Sequence, residues 1–176
     1  GLGITALGAN TTGDNNVAIG RLALTGNTTA DDNTAVGFQS LTQNTTGAKN
    51  TAIGKDSLKG NTTGIEGTAV GMNALDHNTT GTANTAIGYA AVTAVSTGSY
   101  NTGVGRASLA STTTSNYNTG LGAYSLATNT TGTSNVAVGY HAGMTISTGD
   151  YNVAVGATAL DVATTANYNT AIGYSS

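Results

Sequence analysis

The sequence predicts an all-β protein, a parallel β-solenoid built from 17-residue coils, and three observations predict it. A short motif, Asn16-Val-Ala-Ile-Gly20, returns every 17 residues, beginning again at Asn33, Asn50, Gly67, Asn84, Asn101, Asn118, Asn135, Asn152 and Asn169, without insertion or deletion. Aliphatic residues keep two fixed places in the period, position 4 throughout and position 9 in all but the Gly143 copy, which a disordered linker has no reason to do. Gly, Thr and Asn dominate, which disfavours helix, and the lack of Pro and of Gly at every third residue excludes collagen. Coils stacked at about 4.8 Å would gather like residues into columns.

Counting the motif Asn as position 1, the period reads N-T-A-I-G-x-x-A-L-x-x-N-T-T-G-x-x. Positions 1 to 5 predict a strand, whose alternation sends positions 2 and 4 to one side and positions 3 and 5 to the other. Position 4 is always Ile, Val or Leu and is taken as a core column. Position 3 is only Ala or Gly: Ala18, Ala35, Ala52, Ala69, Ala86, Gly103, Gly120, Ala137, Ala154 and Ala171. That nearly smooth column is the candidate oligomer face, where small residues would let a second copy approach closely; the other reading is that small residues merely fit a thin coil. Position 5 is Gly from Gly3 to Gly173 and is expected to turn the chain with positive φ. Ala or Ser at position 8 and Leu at position 9 predict a second strand, and N-T-T-G at positions 12 to 15 a turn back.

Two kinds of coil exist. Asn10, Asn27, Asn44, Asn61, Asn78 and Asn129 hold position 12 in coils without Tyr at position 17. Where Val95, Thr112, Ile146 or Ala163 replaces that Asn, position 17 is Tyr100, Tyr117, Tyr151 or Tyr168. Contact between the two positions across the return loop would explain the swap; so would duplication of two ancestral repeats.

Composition narrows function. Five basic against eight acidic residues give a net charge of −3, so no basic surplus exists to neutralise nucleic-acid phosphates. The longest apolar stretch, residues 89–95, is too short to cross a bilayer. No Cys means no disulfide framework and no thiolate metal site, and fits a secreted protein. Gly1-Leu-Gly3, Gly103-Val-Gly105 and Gly120-Leu-Gly122 are repeat positions with no helix to receive a phosphate. His77 and His141 lie nearly four coils apart. The carboxylates form no periodic calcium-binding signature, since Asp14, Asp31 and Asp150 share position 16 but Asp150 is seven coils from Asp31, and at most Asp14 with Asp31 and Asp32 would make a weak local cation site. No catalytic residue, cofactor or metal ligand is therefore assigned, and the chain is read as a non-enzyme.

The pattern at Asn50-Thr-Ala-Ile-Gly54, Ser57-Leu58 and Asn61-Thr-Thr-Gly64 resembles the head repeats of trimeric autotransporter adhesins, and similar arrays of phage tail fibres and other surface fibres. The resemblance runs over the whole chain, though the period here is longer than that family's usual coil, with N-T-T-G as the extension. It implies a left-handed β-roll, three chains around one axis, displayed outside the cell, on its surface or on a virion.

Residues 1–176 are thus expected to be one repeat array, a segment of a longer fibre or a stacked filament subunit, with itself and a surface receptor or matrix as partners. The expected function is attachment, through the variable positions 6, 7, 10, 11, 16 and 17. Tyr100, Tyr117, Tyr151 and Tyr168 are the candidate contact surface, with packing of the return loop as the other reading of these rings. The alternatives are a self-assembling extracellular filament and an ice- or lattice-binding solenoid. For the last, the unbroken Thr column at position 14 would supply a flat face, joined by Asn at position 12 if that segment is extended. The N-T-T sites also satisfy the N-glycosylation sequon.

Overall fold

The computed structural model describes residues 1–176 as a β-solenoid with no helix. Each coil contributes one strand of three residues at positions 2 to 4. In chain order these are β1 (Val17–Ile19), β2 (Thr34–Val36), β3 (Thr51–Ile53), β4 (Thr68–Val70), β5 (Thr85–Ile87), β6 (Thr102–Val104), β7 (Thr119–Leu121), β8 (Val136–Val138), β9 (Val153–Val155) and β10 (Thr170–Ile172). They pair in parallel, in that order, as one ten-stranded sheet. Register follows the repeat: Ala18 lies opposite Ala35 and Ala35 opposite Ala52, each one period on.

The strands are the smaller part of the scaffold. Of 112 backbone hydrogen bonds, 94 lie outside them, so bonds between stacked turns hold the coils together. The expected second strand at positions 8 and 9 is instead a turn. Its cause is local: positions 7 and 9 are left-handed, as at Gln39 (φ 56) and Leu41 (φ 50), and position 17 repeats this, as at Lys49 (φ 60). That conformation costs a non-glycine residue about 1–2 kcal/mol, and stacking offsets it. Gln39 N–H donates to Arg21 O of the coil before, and Leu41 N–H to Ser57 O of the coil after.

Position 5 turns the chain as expected. Gly54 has φ 134, and a Cβ there would stand 2.7 Å from the Gly71 carbonyl of the next coil, so conformation and contact both demand glycine.

The alternation along the strand is as expected but its sense is reversed. Ala35, Ala52, Ala69 and Ala86 at position 3 are fully buried, whereas Ile19, Ile53 and Ile87 at position 4 are exposed. The core is filled from the opposite wall, where Leu24, Leu41, Leu58, Leu75, Leu109 and Leu126 at position 9 are fully buried. The lumen is too thin for a second large side chain: a Cβ on Gly103 would lie 2.5 Å from a Val92 methyl.

Two asparagine columns complete the interior. At position 1, Asn33 Oδ1 accepts the Asn50 N–H at 3.0 Å, and Asn50 Nδ2 donates to Gly64 O at position 15 of the same period at 2.9 Å. At position 12, from Asn27 to Asn78, each Nδ2 donates both to the carbonyl three residues on and to the Asn of the coil before. Asn44 thus reaches Gly47 O at 2.8 Å and Asn27 Oδ1 at 3.0 Å. The ladder runs unbroken from Asn10 to Asn78, each amide satisfying buried backbone that water cannot reach.

Candidate functional site

The position-3 column expected as an oligomer face is not on the surface. Ala18, Ala35, Ala52, Ala69, Ala86, Gly103, Gly120, Ala137 and Ala154 are buried inside the coil, and Ala171 is half-buried in the last strand. They are small because they face the position-9 side chains, as the thin-coil reading holds. The surface open to a partner is the other side of the same strands. There Thr or Val at position 2 and Ile, Val or Leu at position 4 form two uncharged columns along ten coils. Ile53 and Leu121 keep 41% and 47% of their surface exposed, unusual for a run of aliphatics on one flat sheet. The strand threonines, Thr34 through Thr170, make no side-chain hydrogen bond within the chain, so their hydroxyls are free.

The expected contact between positions 12 and 17 fails. Asn27, Asn44, Val95 and Ile146 are buried, whereas Tyr100, Tyr117, Tyr151 and Tyr168 are exposed. In two of the four coils position 12 answers to core volume instead, whereas Thr112 and Ala163 stand in coils that keep Leu109 and Leu160 at position 9. Where Gly143 replaces the position-9 Leu, the Ile146 side chain fills the space, its Cδ1 lying 3.0 Å from where a Gly143 Cβ would be. Val92 and Val95 make a similar exchange one side chain smaller.

The four tyrosines do form a surface feature. Tyr100 stacks on Tyr117 and Tyr151 on Tyr168, with ring centroids 5.2 Å apart in both pairs. Their backbones are left-handed and their rings exposed.

Two groupings escaped sequence reasoning. The first is a ledge at positions 6 and 7 where the Arg106 guanidinium lies 5.9 Å from the Tyr89 ring and 5.5 Å from the Tyr124 ring. His141 meets Tyr124 edge-on at 5.2 Å and stacks on Tyr140 at 3.9 Å. The second is a polar notch of about 320 Å³ lined by Gln43, Lys59, Gly60, Asp76, His77 and Thr79. Beside it Asp56 pairs with Lys55 at 3.6 Å and Lys59 at 3.5 Å. Burial raises the Asp76 carboxyl above its ordinary range; His77 and Lys59 pull it down and Asp56 pushes it up. Column addition would have found both, since spacings of 17 and 18 residues mean adjacency in a solenoid.

The remaining sequence candidates fall apart in space. His77 Nδ1 faces Thr93 O at 3.1 Å, far along the stack from His141. Asp31 Oδ1 accepts the Asp14 N–H at 2.7 Å, and no three His, Cys, Asp or Glu side chains are grouped to hold a metal ion. No helix is long and apolar enough to cross a membrane. The sequon asparagines Asn27, Asn44, Asn61, Asn78 and Asn129 are buried with their amide nitrogens engaged, so the folded chain offers no glycan acceptor there. For the same reason Asn at position 12 does not share a face with the exposed Thr of position 14. No protein-family model, curated protein or solved structure matches this chain.

Proposed function

We propose that the chain is a structural and adhesive segment of an extracellular fibre, three copies of which pack through the outward faces of their sheets. The observation that carries this reading is the pair of uncharged columns at positions 2 and 4. A flat aliphatic and threonine surface with no charge across ten strands is costly to leave in water and simple to cover with a second copy of itself. The variable outer positions, the stacked tyrosines among them, are then left for contacts with a surface, a receptor or sister cells. A self-assembling extracellular filament would use the same face and is the alternative.

The test is the light-scattering mass of the purified chain, alone and as Ile53→Asp. A mass three times the 17.2 kDa of one chain, falling to a single chain in the variant with its circular dichroism unchanged, is expected. A monomeric wild-type chain refutes the trimer.

One further reading rests on a specific observation. The position-14 threonines, from Thr12 to Thr165, are exposed in every coil and their hydroxyls have no partner in the fold. A regular column of free hydroxyls and methyls is what binding to an ordered lattice requires. Thermal hysteresis that disappears on replacing Thr63, Thr80 and Thr97 by Lys would favour it; no hysteresis at millimolar protein would exclude it.

A further inference from the structure

The tyrosine column at position 17 has one rung missing. The pairs Tyr100–Tyr117 and Tyr151–Tyr168 each stack with planes within 6° of parallel. Between them the same position holds Ser134, whose φ of 57 matches those of Tyr117 (62) and Tyr151 (57). The strands keep register through this coil, β7 to β8 to β9. Tyr117 and Tyr151 therefore stand two coil steps apart, roughly 9.6 Å along the stack, with only a serine side chain between them. One planar group would fill the gap, with a tyrosine face on each side at the spacing the two pairs already keep.

Charge decides which planar group. Asp150 Oδ1 accepts the Thr133 N–H at 2.6 Å and the Thr133 hydroxyl at 3.1 Å, so the carboxylate is fixed beside the residue that precedes Ser134. Arg106 is the only Lys or Arg among residues 84–176, and its guanidinium is held elsewhere. It lies between Tyr89 and Tyr124, which come from coils two steps apart. The fold thus already places a guanidinium 5.9 and 5.5 Å from two tyrosine rings of coils two steps apart, there at positions 6 and 7 rather than in one column. Two aromatic faces and a carboxylate recognise a cation, and guanidinium is the planar, weakly hydrated cation of proteins.

We propose that the gap between Tyr117 and Tyr151 is a docking slot for an arginine side chain of a partner protein. This deepens the attachment reading by naming the chemistry of its contact, and rests on that reading only for the partner being a surface molecule. The probe is N-acetylarginine amide, titrated into the intact chain while the tyrosine ring resonances are followed by NMR. Saturable shifts at Tyr117 and Tyr151 with a low-millimolar midpoint are expected. Asp150→Asn should weaken them about threefold. Ser134→Tyr, which supplies the missing rung, should abolish them. Tyr117→Ala removes one wall and should abolish them too, should Ser134→Tyr fail to fold. Shifts that survive these changes, shifts matched by N-acetylnorleucine amide, or no shift at any soluble concentration overturn the slot. A monomeric chain that binds the probe would remove the trimeric fibre and leave the slot standing; a trimer indifferent to the probe would do the reverse.

Discussion

Truncating two chemically identical asparagines should cost very different amounts. Asn44 stands in the middle of the position-12 ladder: it donates to Asn27 Oδ1 and Gly47 O, and its own oxygen accepts from Asn61 at 2.8 Å. Asn44→Ala removes three buried hydrogen bonds and leaves two acceptors without a partner. At about 1 kcal/mol per bond, with more where an acceptor is orphaned, the loss is about 3–4 kcal/mol. Asn129 has no Asn neighbour, because Thr112 and Ile146 flank it. Its oxygen is already unpartnered, and the carbonyl it donates to, Gly132 O, also receives Asn118 Nδ2 at 2.8 Å. Asn129→Ala should therefore cost about 1 kcal/mol or less beyond the shared loss of packing. Urea denaturation followed by far-ultraviolet circular dichroism, compared at a common m-value, measures both. Equal costs would refute the ladder as a cooperative support and reduce position 12 to space filling.

Three further outcomes follow from the same geometry. Gly67 interrupts the position-1 column, so Gly67→Asn should stabilise by about 1 kcal/mol by giving the Asn84 N–H an acceptor, read as a raised urea midpoint. Ala52→Leu should unfold the chain or lower its midpoint sharply, since Ala52 is fully buried in the core cluster with Leu58, whereas Ile53→Leu on the outer face should leave the monomer's stability unchanged. Asp76 titrates at a raised pKa, so the native chain holds its proton more tightly than the unfolded one, and stability falls as pH rises from below 3.8 through the folded value. Asp76→Asn should then raise the denaturation midpoint at pH 7 and have little effect at pH 3; a benefit equal at both would contradict burial as the cause.

The period, the parallel stack and the glycine turn were legible because each is a column property, repeated ten times in one chain. Which side of the strand is inside was not. Period-two alternation separates Ala52 from Ile53 but does not say which faces the lumen, and hydrophobicity favours Ile. What decides is Leu58 on the facing wall, delivered inward from a left-handed backbone (φ 48) that leucine rarely adopts. No residue pattern announces that conformation, so the turn read as a strand and the outer face as the core. The tyrosines were found because the column of position 17 marks them. The packing role of position 12 was missed because its exchange with position 9 occurs in only two coils, at Val92 and Gly143, and is small beside the conspicuous Tyr.

A solenoid of this kind acquires surface features by omission. Inside, most coils supply Leu, Ala and the two asparagines or a compensating exchange such as Gly143 with Ile146, because each column satisfies its neighbours above and below. Outside, contact is only with the adjacent coils, so a position can lose its side chain without disturbing the stack. Gly60 opens the polar notch between Gln43 and His77 in this way, and Ser134 opens the slot between two pairs of tyrosines. Both openings are one coil wide and have walls already fixed by the repeat, which spares a ligand much of the cost of ordering its site. The conformational demands of binding are therefore met by the scaffold before any contact residue is chosen. The variable positions are left to select charge and shape, a division that supports the attachment role proposed above.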